Sequence, residues 1–253
     1  MRTLLATAAF IALTSPAFAH FQEILPSADV LPEGGKVTVS LVFTHPMERG
    51  PTMDMVKPVR VGVVTAKGVE DISSTLIEAP VDSKQAWRFE RDVGEPGAEV
   101  LFVEPKPYWE PAENKYIIHY AKVVVDGYAS GEGWDRLVGL PVEIAPLVRP
   151  TGLWTGNLFR GVVLKDGQPV PGAEVEVEWV NDGSVTPPNE AFITQVIKAD
   201  DRGVFAYAMP RAGWWGFAAL IDGPEAQSPD GKPAATELGA LMWVKATDMG
   251  EAK

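Results

Sequence analysis

Histidine is the side chain with the most to say about chemistry in this sequence. There are three, His20, His45 and His119, and there is no cysteine. Thiolate catalysis and cysteine-based metal sites are therefore excluded. No G-x-S-x-G, glycine-rich phosphate loop or H-E-x-x-H is present to suggest hydrolysis or nucleotide chemistry. Carboxylates are abundant but scattered, and no spacing marks a glycosidase pair. What imidazoles can do without such partners is bind metal. Nitrogen donors suit Ni(II), Cu(II) and Zn(II), with affinity peaking at Cu(II).

His20 gains a second donor if the chain is processed. Arg2 is followed by the uncharged run Leu4 to Leu13, then by Ser15-Pro16 and Ala17-Phe18-Ala19. A basic start, a short apolar run and an A-x-A site together read as a secretory signal peptide, residues 1–19. The run is shorter than the roughly 20 residues a bilayer span requires. Cleavage after Ala19 puts His20 first, with its amine and Nδ1 able to close one chelate ring. The amine has an ordinary pKa of about 8, so metal must displace a proton and bind less well as pH falls. A frayed, exposed terminus is the alternative for the same residue. A cysteine-free exported chain fits a periplasm, where disulfides are permitted but not required.

The elements that must position these residues read as strands. Gly (24) and Pro (22) are frequent, valine-rich alternating segments recur, and long helical periodicity does not. This predicts an all-β fold with many turns, built as two antiparallel β-sandwiches in tandem. The first spans 20–148 and carries all three histidines. In "KVTVSLVF", Val37, Val39, Leu41 and Phe43 alternate with more polar neighbours, the period of a half-buried strand. "LPVEIAPLVRPTGLWTG", with Pro141, Pro146 and Pro150, reads as a stiff extended connection. The second domain spans 149–253. In it Val175, Val177 and Trp179 point one way while Glu174, Glu176 and Glu178 point the other. Its glycine and proline pattern resembles the carboxypeptidase-regulatory, prealbumin-like β-sandwich, which implies no activity of its own.

Geometry brings two of the histidines together. His20 starts one strand and His45 ends the next, with a turn near Pro32 to Gly35. An antiparallel hairpin therefore makes them neighbours at one rim. His119, in "KYIIHYAKVVV", shares a face with Ile117, Ala121 and Val123. It is either a third ligand or a hydrogen-bonded core residue. The loop after His45 adds Asp54, a possible hard oxygen donor. It also adds Met47, Met53 and Met55, which either pack or bind Cu(I).

Five segments, "AHFQEILPS", "LVFTHPMERGPTMDM", "VEPKPYWEPAENKYIIHYAKVVVD", "GLPVEIAPLVRPTGLWTGNLFRG" and "MPRAGWWGFAAL", carry a family likeness. Together they resemble the NikK-type periplasmic accessory component of energy-coupling-factor nickel/cobalt uptake systems. The resemblance implies a periplasmic protein, not an enzyme, that binds Ni(II) or Co(II) and supplies it to the membrane components of an uptake transporter. It implies His20, His45 and His119 as ligands. Two other classes compete. One is a histidine-brace copper protein, binding copper or using it as an oxygenase does. The other is a metal-free structural sandwich. The formal charge of −12 disfavours nucleic acid and anionic membranes as partners, and no segment beyond the signal is apolar and long enough to insert.

Overall fold

The computed structural model describes residues 20–250. The expected signal segment, residues 1–19, lies outside the described residues. The longer strands of the first half are β1 (Phe21–Pro26), β2 (Gly35–Thr44), β3 (Arg60–Thr65), β4 (Trp87–Val93), β5 (Gly97–Glu104) and β6 (Lys115–Gly127). Those of the second half are β7 (Val142–Pro146), β8 (Leu158–Lys165), β9 (Glu174–Trp179), β10 (Val204–Ala208), β11 (Gly213–Asp222) and β12 (Pro233–Thr247). No α-helix occurs among the described residues; the helical turns are two short 3-10 segments, Ser73–Thr75 and Glu190–Phe192.

Three sheets stack. One joins β1, β2 and β4 in that order. A long central sheet runs β9, β11, β12, β6, β5, β3. A third pairs β7 and β10 with β8. Alternation explains which face each strand buries. In β2, Val37, Val39, Leu41 and Phe43 are buried, while Lys36, Thr38 and Ser40 are exposed. The two faces of the central sheet carry separate cores. Toward the β1–β2–β4 sheet lie Phe21, Leu41, Phe89, Leu101, Val123 and Trp243. Toward the third sheet lie Val100, Ile144, Phe159, Val175, Phe217 and Met242. Burying each such side chain contributes about 1.5–3 kcal/mol.

The all-β, largely antiparallel architecture agrees with the alternation read from the sequence. Two details differ. First, the central sheet continues across the expected boundary at residue 148. β6 and β12 pair in parallel, from Lys115 opposite Ala235 to Val123 opposite Trp243. The pairing joins two sheet edges that would otherwise be left open. Second, half of the proline-rich connection is strand. β7 pairs antiparallel with β8, Val142 opposite Lys165 through Pro146 opposite Gly161. Val142 and Ile144 alternate into the core, and the prolines fall at or beyond its ends, where a missing donor is tolerated. Asp166-Gly167 turns β8 back with both residues left-handed (φ 49° and 73°), as a tight hairpin requires.

Candidate metal centre

The β1–β2 register runs from Phe21 opposite Thr44 to Pro26 opposite Val39. One step beyond it His20 faces His45. Their ring centroids lie 4.6 Å apart, and both are buried. The hairpin inference thus places this pair correctly.

Each member of the pair is held from outside the hairpin. His20 Nε2 lies 3.2 Å from Glu110 Oε2. Glu110 ends the short strand Tyr108–Glu110, which pairs with β6, Glu110 opposite Lys115. A neutral imidazole that donates Nε2–H to this carboxylate carries its lone pair on Nδ1, the nitrogen that chelates together with a residue's own amine. His45 begins a loop closed by Gly50 N–H donating to the His45 carbonyl at 3.1 Å. The second half of the chain anchors that loop. Met47 N–H donates to Glu178 Oε2 at 3.0 Å, Asn181 Nδ2 donates to the Met47 carbonyl at 3.0 Å, and Asn181 N–H donates to the Pro46 carbonyl at 3.2 Å. Burial pushes Glu178 up to about 7, against the lowering effect of hydrogen bonds from Thr194 and Met47.

His119 stands on the facing sheet. It projects from β6 with Ile117, Ala121 and Val123, and is only 2% exposed. Its Nε2 lies 3.1 Å from Glu237 Oε1 on β12. The parallel register puts His119 opposite Gly239, and this glycine makes room for the ring. A Cβ there would sit 2.3 Å from His119 Cδ2. Burial alone would raise the Glu237 pKa. Hydrogen bonds from His119 and Lys115, with the charge of Lys115, outweigh it and hold the carboxyl at about 2. His119 Nδ1 is buried with no hydrogen-bond partner. Phe43 touches both groups, its ring 5.5 Å from that of His20 and 6.1 Å from that of His119.

Among the described residues, no three His, Asp or Glu side chains converge as a ready metal cage. The structure brings His20 and His45 together and leaves His119 across Phe43 in the neighbouring sheet. Asp54 does not join them. It is exposed and bound by Gln85 N–H and Lys84 Nζ, each at 3.0 Å, which hold its carboxyl below the usual range. Met47, Met53 and Met55 are all buried. Met55 also lines a cavity of about 230 Å³ whose walls include Gln22, Phe43, Tyr108, Trp109 and His119.

Four residues important to this arrangement escaped the sequence reading: Glu110, Glu178, Asn181 and Glu237. Alternation in the sequence places Glu178 and Glu176 on the side opposite Val177 and says nothing of their burial. In fact both are buried, because that face of β9 is also covered. Glu237 sits two residues before Gly239, a Glu-x-Gly spacing that acquires meaning only once β12 is laid beside β6.

A buried histidine pair, backed by a carboxylate, thus sits at one rim of an all-β fold. Residues 17–223 match the model described as Domain of unknown function (DUF4198), and the chain belongs to that family. No curated protein sequence matches it. Several solved structures align with low similarity. The two-fibronectin-type-III segment of chicken tenascin covers 90% of this chain and 100% of its own, at 11% identity and a TM-score of 0.25. Escherichia coli alpha-2-macroglobulin activated by porcine elastase covers 89% of this chain and 20% of its own, at 11% and 0.27. A putative carbohydrate-binding protein from Bacteroides uniformis covers 87% and 100%, at 12% and 0.25.

Proposed function

We propose that this protein binds a divalent transition metal, nickel or cobalt, outside the cytoplasm and passes it to the membrane components of an uptake transporter. The observation that supports this most is the His20–His45 pair, buried and side by side at 4.6 Å, with Glu110 on His20 Nε2. In this reading, processing after Ala19 frees the His20 amine. The amine and Nδ1 of His20 and one ring nitrogen of His45 then form a three-nitrogen set. Such a set leaves coordination positions open, which suits a protein that must release its cargo. Glu110 orients the first ring, and the Glu178–Asn181 clamp holds the loop that bears the second. The chain's acidity mildly concentrates cations near it. The resemblance to NikK-type accessory components gives the transporter as the destination. The protein's role is carriage, and no side chain is assigned to catalysis.

The same nitrogen set binds Cu(II) more tightly than Ni(II) in the general order, so metal supply in the compartment decides the occupant. Native mass spectrometry of the exported protein, followed by titration with Ni(II), Co(II) and Cu(II), tests the reading. The expected results are a His20 N-terminus and one metal per chain. His45→Ala should weaken Ni(II) binding at least tenfold, about 1.4 kcal/mol. His119→Ala should leave it within about twofold. A His45→Ala protein that binds Ni(II) as tightly as the parent would defeat the proposal.

A further inference from the structure

The cavity beside His119 lies beyond this proposed carrier site, and its lining does not match an ordinary core. His119 is 2% exposed, and its Nδ1 has no hydrogen-bond partner. A buried polar atom left unpaired loses its hydration without recompense. The rest of the residue is carefully held. Nε2 faces Glu237 Oε1 at 3.1 Å, and Lys115 Nζ lies 2.5 Å from the other oxygen of that carboxylate. A neutral imidazole that donates Nε2–H to Glu237 carries its lone pair on Nδ1. Gly239 supplies the space for the ring.

Met55 lines the same cavity of about 230 Å³. Its Sδ accepts a hydrogen bond from Gln22 Nε2 at 3.4 Å, which a soft cation would displace. Aromatic rings of Phe43, Tyr108 and Trp109 form much of the remaining wall. An ordered water could satisfy Nδ1 but gains little from a thioether. A hard divalent ion would want oxygen donors, and the cavity's Asp54 is already bound to Lys84 and Gln85. One imidazole nitrogen, one thioether sulfur and apolar walls suit a soft, low-coordinate d10 cation.

We propose that His119 Nδ1 and Met55 Sδ form a second metal site, selective for a soft monovalent cation of the Cu(I) type and separate from the His20–His45 pair. Ag(I) is the redox-stable probe. The experiment titrates Ag(I), and then Cu(I) under reductant, into the parent, His45→Ala, His119→Ala and Met55→Leu proteins, with methionine-methyl NMR on the parent. The expected result is one Ag(I) retained in His45→Ala and weakened at least tenfold in both His119→Ala and Met55→Leu. The Met55 methyl resonance should shift while the Met53 methyl stays. Met→Leu conserves volume and is among the best-tolerated core changes, so that variant should fold. Ag(I) binding untouched by Met55→Leu, binding lost only in His45→Ala, no saturable binding, or an unmoved Met55 methyl would each overturn the proposal. Ni(II) binding should be unchanged in Met55→Leu, so the two sites succeed or fail independently.

Discussion

Adding one methyl group at Gly239 tests the placement of His119 most sharply. In Gly239→Ala the new Cβ would lie 2.3 Å from His119 Cδ2, 2.7 Å from Cγ and 2.8 Å from Nε2. Ordinary contact begins near 3.4 Å, so the ring must retreat by roughly 1 Å. Its neighbours do not yield easily, because Ile117 and Ala121 on the same face are buried and Phe43 closes on it edge-on at 87°. The retreat also disrupts the 3.1 Å contact with Glu237. Overpacking of this kind costs about 1–3 kcal/mol. In a His119→Ala background the obstacle is gone, and Ala in a strand interior should then stabilise by roughly 0.5–1 kcal/mol relative to Gly. Urea unfolding of the four proteins, followed by tryptophan fluorescence, gives the coupling energy, expected at about 2 kcal/mol. Additive effects would show that His119 does not pack on residue 239, and the β6–β12 register described above would be wrong.

Three further outcomes follow from buried charges and from the metal donors. Burial, reinforced by Glu178, pushes Glu23 up to about 8, and burial with neighbouring acids does the same for Glu176. A carboxyl whose folded pKa exceeds its unfolded value of 4.5 contributes stability that is full below 4.5 and lost as pH rises through 8. Melting temperature should therefore fall between pH 5 and 9, and Glu23→Gln should flatten that fall; an equal slope in the variant would contradict it. Lys122, 1% exposed, bridges the central and third sheets through Glu143 Oε1 at 2.5 Å. Lys122→Ala leaves that carboxylate buried and should cost about 3–5 kcal/mol in unfolding experiments; a loss under about 1 kcal/mol would refute the pairing. Ni(II) affinity should drop steadily from pH 8 to 6 as protons compete for the donors, and a flat profile by calorimetry would argue against nitrogen ligation.

Local pattern made much of this molecule legible. Period-two alternation located β2 and β6 and the face on which His119 lies, since a strand's side chains declare their sides without reference to any partner. The connection over residues 27–34 detours to pair Val30–Leu31 with β6, yet antiparallel pairing of the strands it joins still brings His20 to His45. What depends on distant chain was not legible. The parallel contact of β6 with β12 joins residues more than a hundred positions apart, and it alone gives His119 its carboxylate and its glycine. The same holds for Glu178 and Asn181, which grip the His45 loop from the other half of the chain. Nothing in "EVEVEW" separates the exposed Glu174 from the buried Glu178 that holds the His45 loop.

In the proposed site His20 binds metal through its own amine as well as its ring. Extending the processed chain by a single alanine ahead of His20 moves the amine away and leaves every side chain in place. Isothermal titration of Ni(II) into the two proteins, one beginning at His20 and one at the added alanine, measures the amine directly. The extension should weaken binding at least as much as His45→Ala, tenfold or more. Equal affinity in the two proteins would contradict it and would reduce His20 to the first residue of a strand.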